Sequence, residues 1–381
     1  MYFIAAICLT LLTASEGAND IPEAWVDADT GHRVVRLSRR EGSNSSFYFH
    51  QNPFAGDEMV FAGTTPEGRR LFAVDLKTLA IRQITDRDST FEVVGPKRRE
   101  VFYLSGGVVC ATHLATKRTR EIATIPDACR QGAGFSLNAD ETLLAASYGE
   151  GLEEFYKRPR SEWFTAIFEA HPPHTLYTID VATGEIHTVH KENNWLGHIQ
   201  FSPTDPTLLM FCHEGPWERL DRIWLIRTDG TGLRCLHQRT VDGEIAGHEF
   251  WGPKGKRVWF DLQVPMWKNF FLAGASAEGL PEIRYPLKPE QWSMHYNVSP
   301  DGSLFCGDGG ARSAGSAGKW IYLYRPTTDG VEVERLCSLA NHDYALEPNV
   351  RFTPDGQWVV FRSNMHGTSH VYAVEVAKSN K

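Results

Sequence analysis

WLGHIQFSPTDPTLLMFCHEGPW at residues 195–217 and EIAGHEFWGPKGKRVWFD at residues 244–261 share one local pattern. In each, a histidine, His198 or His248, lies three residues before an aromatic that leads into a turn, Phe201-Ser-Pro in the first and Trp251-Gly-Pro in the second. An apolar strand follows each turn. The shared offset marks a repeat.

Working outward, the unit is a short strand, a turn rich in Pro, Asp and Gly, an apolar strand, a third strand and often a fourth closed by a D-x-x-TG-like turn. Seven copies can be counted, beginning near Phe47, Phe91, Gly132, Trp195, Glu244, Met294 and Pro348, and the third carries an insertion over residues 149–174. Strands enriched in β-branched and aromatic residues at a period of about 40–50 residues predict an all-β, seven-bladed β-propeller. One sheet cannot cover both its faces, whereas blades packed around an axis can. The seventh copy holds only three strands before Lys381, and DADTGHRVVRLS at residues 27–38 repeats the fourth-strand pattern of DVATGEIHTV at residues 180–189. The N-terminal strand is therefore predicted to complete the last blade and close the ring.

The chain has 381 residues, 42% hydrophobic and 23% charged, enough for a large core. A net charge of -8 without a Lys/Arg block argues against nucleic acid as a partner. The apolar run FIAAICLTLLT at residues 3–13 is too short to span a bilayer, and small residues follow it around Ser15 and Gly17. Residues 1–17 thus read as a signal peptide, although no Lys or Arg precedes the run, and 18–381 as the propeller domain. That reading sends the chain to the periplasm or outside the cell, with no membrane span in the mature protein; an uncleaved anchor or a cytoplasmic chain is the alternative. Apart from Cys8, six cysteines show no CxxC spacing. Cys110 with Cys129, or Cys212 with Cys235, would be local disulfide choices, while Cys212 and Cys306 also read as small buried strand residues.

Propeller blades run their first strand along the axis, so stepping back three residues from each turn aromatic gives positions that face one funnel: Gln51, Gly132, His198, His248, His295 and Asn349. A single histidine there is as readily scaffold, bonding a neighbouring turn. Several at one register make a candidate site. Arg222 in WERLDRIW could fork a carboxylate, or pair with Asp221 or Glu218. His213 and Glu214 end a strand at the same side, and Glu347 shares a strand face with Asn349. Trp195, Trp217 and Trp292 are either stacking platforms or blade-junction core, and YKRPRSEWF at residues 156–164 would overhang the funnel as a basic, aromatic lip.

WLGHIQFSPTDPTLLMFCHEGPW, DRIWLI and EIAGHEFW closely resemble the oligogalacturonate lyases, polysaccharide lyase family 22, and YFHQNPF and MHYNVSPDG are similar to that family too. The resemblance implies a seven-bladed propeller that cleaves short acidic oligosaccharides by β-elimination with a divalent metal, usually manganese. By position, His248 resembles the family's proton-abstracting base, Arg222 its substrate-carboxylate partner and His295 a metal ligand. Gln51, His198, His213 and Trp217 are the candidate substrate-binding residues. The seventh blade departs from the family pattern: where Gln-x-x-His-x-His is usual, this chain has Tyr344-Ala-Leu-Glu347-Pro-Asn349. Glu347 and Asn349, with His342 nearby, would make an oxygen-richer metal set suited to Mn²⁺, Mg²⁺ or Ca²⁺. The competing expectation is a non-catalytic envelope propeller of the TolB type that binds a glycan or protein.

Overall fold

The computed structural model describes residues 21–132, 134–310 and 319–378; the segment read as a signal peptide lies outside them. Their strands form seven antiparallel sheets, and the innermost strands of successive sheets meet around a common axis. The fourth blade, for example, runs Trp195–Phe201, Leu208–Glu214, Ile223–Arg227 and Arg234–Cys235 from the axis outward. Its turns follow from sequence. Asp180 Oδ1 accepts the backbone N–H groups of Ala182 and Thr183, and Asp27 does the same for Asp29 and Thr30, while Gly184 and Gly31 supply φ of 77° and 79°.

Between blades the core is shared. Met210, Ile223 and Leu225 of the fourth blade pack on Val258, Phe260 and Leu262 of the fifth, all buried. The ring closes as the sequence predicts. His32–Arg36 pairs with His370–Lys378, Ala24–Val26 pairs outside it, and Val34, fully buried, packs with Val359 and Tyr372. The six cysteines within the described residues are free thiols, so neither local disulfide is formed.

Two features were not legible from the repeat. The third-blade insertion holds helices at Glu153–Tyr156 and Arg160–Ala170. In the first blade the inner strand is broken into Asn44–Ser45 and Phe54–Ala55, and the chain between them crosses toward the axis. Phe49, fully buried, is pinned there: its N–H donates to Asn349 Oδ1 (3.0 Å), and its carbonyl accepts from Arg351 Nη2 (2.6 Å).

Ring closure has a direct test. Val34→Asp buries an unpaired charge in the last blade and is expected to cost at least about 3 kcal/mol in denaturant unfolding, whereas the same change at exposed Val26 is expected to cost under about 1 kcal/mol.

Candidate functional site

The shared offset of His198 and His248 is a β-bulge. In the fourth blade Gly197 pairs with Cys212 and Gln200 with Met210, leaving His198 and Ile199 outside the ladder; in the fifth, Gly247 pairs with Asp261 and Phe250 with Trp259 around His248 and Glu249. Both histidines are left-handed, with φ of 48° and 49°, and Asn349 of the seventh blade has φ of 54°. Bulges re-aim side chains beside functional sites, at a cost in backbone strain. Gly247 is required next to His248, because a Cβ there would lie 2.8 Å from the Trp217 ring.

The bulges and the sixth blade bring three imidazoles together. The His248 ring lies 4.4 Å from His295, 5.1 Å from Trp217 and 6.3 Å from His198, centroid to centroid. Among the described residues His248 has no hydrogen-bond partner, and its Nδ1 is buried. Burial, then the neighbouring His295, His198 and Arg222, hold its pKa well below the usual imidazole value, so it is neutral at pH 7. It is an uncommitted base.

Arg222 is fully buried. Its Nε donates to Glu249 (2.9 Å) and its Nη2 to Glu214 (2.8 Å), not to the Asp221 or Glu218 considered from sequence; Trp217 lies 4.7 Å over the guanidinium. Nη1 is buried without a partner among the described residues. Burial alone would raise the Glu249 pKa, but Arg222 and His198 outweigh it and hold the carboxyl well below its ordinary range. His198 Nδ1 lies 3.1 Å from Glu249 Oε1, and the ligand atoms of His198, Cys212 and Glu249 fall within 4.8 Å of one another. Arg222 already supplies a cation to that cluster.

On the opposite side, Asp308 accepts from His295 Nδ1 at 2.7 Å, which fixes the ring and leaves Nε2 buried without a hydrogen-bond partner among the described residues, 3.9 Å from Glu347 Oε2. An oriented imidazole facing a carboxylate fits a divalent cation. The other two residues considered for the metal are engaged elsewhere. Asn349 accepts from Phe49 and donates to the Glu347 carbonyl (3.1 Å), and His342 is bonded at both nitrogens, to Ser363 Oγ (2.9 Å) and the Leu346 carbonyl (2.7 Å).

The remaining sequence candidates are spread out. His213 is on the strand face opposite Cys212 and Glu214, bonded to Glu192 at 2.7 Å. Gln51 lines a cavity of about 380 Å³ toward the turn end of the axis, together with Gln200, Asn297 and Arg351. Gly132 could carry no side chain, since a Cβ would meet the Ser147 carbonyl at 1.8 Å. Trp292 is buried at the junction of the fifth and sixth blades. Sequence reasoning passed over Glu249, Asp308, Tyr48 and His50. Tyr48 lies 5.5 Å from His198 and 5.6 Å from His295, and burial, followed by His198, lowers the His50 pKa well below its usual value. The pairing of Tyr48 and His50 with the axis follows from the broken first-blade strand, which no residue pattern announced.

Residues 21–318 match the model of the family described as oligogalacturonate lyase. The oligogalacturonate lyase of Dickeya dadantii (strain 3937) is 27% identical over 383 residues, covering 93% of this chain and 96% of that protein. The oligogalacturonide lyase of Pectobacterium atrosepticum is also 27% identical, over 95% of this chain and 98% of that one. Among solved structures, an oligogalacturonate lyase in complex with manganese superposes with a TM-score of 0.81 at 27% identity, covering 93% of this chain and 96% of its own. One from Vibrio parahaemolyticus gives 0.82 at 26%, covering 94% and 97%.

Two outcomes are expected of the site as a physical object. Arg222→Ala leaves two buried carboxylates without their cation and should cost about 3–5 kcal/mol by denaturant titration. The lowered pKa values of His50, His174, His248 and His342 mean that the unfolded chain takes up protons first. Their effect is absent above the unfolded imidazole value of about 6.5, and stability falls as pH drops below it. Thermal unfolding between about pH 7.5 and pH 5 should show this slope, and His248→Phe should flatten it.

Proposed function

The chain belongs to the oligogalacturonate lyase family, and on that premise we propose that it cleaves short uronic-acid oligosaccharides, oligogalacturonides first among them, by β-elimination. The observation that carries the reading is His248, neutral, without a hydrogen-bond partner among the described residues and held by a strained bulge between His295 and Trp217. The C5 proton of a uronate is weakly acidic because the adjacent carboxylate can take the charge as an enediolate. His248 removes that proton, the C5–H electrons form the C4–C5 double bond, and the C4–O glycosidic bond breaks. The departing oxygen takes up a proton, and the one on His248 returns to solvent.

His295 Nε2 and the Glu347 carboxylate are the groups that would hold the metal. When bound, a divalent ion, manganese first and magnesium or calcium as alternatives, supplies positive charge for the enediolate. Asp308 orients His295 for that role. Arg222 offers one unspent group, the buried Nη1, to a substrate carboxylate, with the Trp217 ring 4.7 Å from the guanidinium carbon. Its two glutamate contacts make it equally a positioning residue for His198. The family match and the uncommitted imidazole favour catalysis over a purely binding propeller. The apolar run at residues 3–13 supports export, which cell fractionation with an antibody to the chain would check.

With digalacturonate and trigalacturonate, chelator-treated protein should be inactive, and added Mn²⁺ should restore a steady rise in the ultraviolet absorbance of the unsaturated product. His248→Ala should lower kcat by about 10²–10⁴-fold. A silent assay with Mn²⁺ present, or a His248→Ala variant at full rate, would overturn the reading.

A further inference from the structure

A cavity of about 410 Å³ lies beside the imidazole cluster and is walled by the third-blade insertion. Its size is that of a small-ligand site. His198 and Glu214 line its inner end, so it is continuous with the site described above. From the insertion come Tyr156, Arg160 and Trp163, and from the inner strand of the fourth blade comes Trp195. The helix Arg160–Ala170 is docked firmly against the rim: Phe164 packs on Trp195 at 5.4 Å, Ile167 is fully buried, and Arg219 lies 4.8 Å over Phe168.

Two polar side chains at this cavity keep free hydrogen-bonding atoms among the described residues. Arg160 is exposed and has no acidic partner among the described residues. His174 is 1% exposed; its Nδ1 bonds the Pro172 carbonyl at 3.0 Å, and its Nε2 has no partner among the described residues. Burial lowers its pKa below the usual imidazole value, so it is a neutral group for a hydroxyl. Apolar aromatic walls, a free guanidinium and a neutral polar atom together match the apolar face, carboxylate and hydroxyls of one uronic acid ring.

We propose that this cavity is a subsite for a further uronate residue of the substrate, with Trp163 and Trp195 flanking the ring and Arg160 pairing its carboxylate, so that the insertion sets a preference for chains longer than the dimer. The proposal rests on the lyase reading for the identity of the sugar. It concerns binding alone, so its test is run without turnover. Calorimetric titration of His248→Ala with digalacturonate and trigalacturonate should show the trimer binding about tenfold tighter. Adding Arg160→Ala or Trp163→Ala should bring the two affinities to within about twofold. Arg160 is exposed, so that variant should keep its unfolding temperature and separate recognition from folding. A trimer advantage that is absent, or that survives both substitutions, overturns the subsite. If the advantage depends on Arg160 but no unsaturated product forms with the unaltered protein and Mn²⁺, the subsite stands and the lyase reading falls.

Discussion

A buried guanidinium between two buried carboxylates is the constraint on which the centre of this propeller depends. Arg222 and Glu214 come from the fourth blade and Glu249 from the fifth, so the charges that neutralise one another also tie two blades together. Such a network adds little stability over an apolar filling, because each ion first loses its water. What it gives is geometry. Glu249 can stay ionised without solvent only while Arg222 is in place, and the same carboxylate faces His198.

The bulges extend that logic to the backbone. His198 and His248 occupy left-handed positions that most side chains avoid, and the ladder resumes on either side of each. The seventh blade uses the same conformation differently: Asn349 spends its carboxamide on Phe49, and with Arg351 it holds the first-blade chain across the axis. A carboxamide that the sequence offered as a metal donor is a fastener instead. The donors left facing each other are His295 and Glu347.

The repeat was legible because burial of both sheet faces imposes it, and ring closure was legible because a missing strand at one end had its pattern at the other. His198, His248 and His295 were legible through their fixed distance from the turn aromatic. Glu249 was not, because strand alternation turns it away from its neighbour His248, and a bulge breaks alternation without leaving a mark in composition. Alternation alone would have separated Glu214, on the Cys212 face, from His213 on the other. The inward path of Tyr48, Phe49 and His50 reads in sequence as an ordinary strand. Its partners on other blades, Asn349, Arg351 and Asn297, hold it at the axis.

The joint in the last blade also sets an order of events during synthesis. Among the described strands His32–Arg36 is made directly after Ala24–Val26 and His370–Lys378 is made last, yet each is the other's neighbour. A growing chain can stack early blades as they emerge, but the opening pair of Ala24–Val26 and His32–Arg36 waits for its inner neighbour while the blades between are translated. Until the two ends meet, the assembly keeps an open strand edge, the kind of surface that invites pairing with another chain. Closure of the ring is thus the step that turns a string of self-associating sheets into one finished molecule.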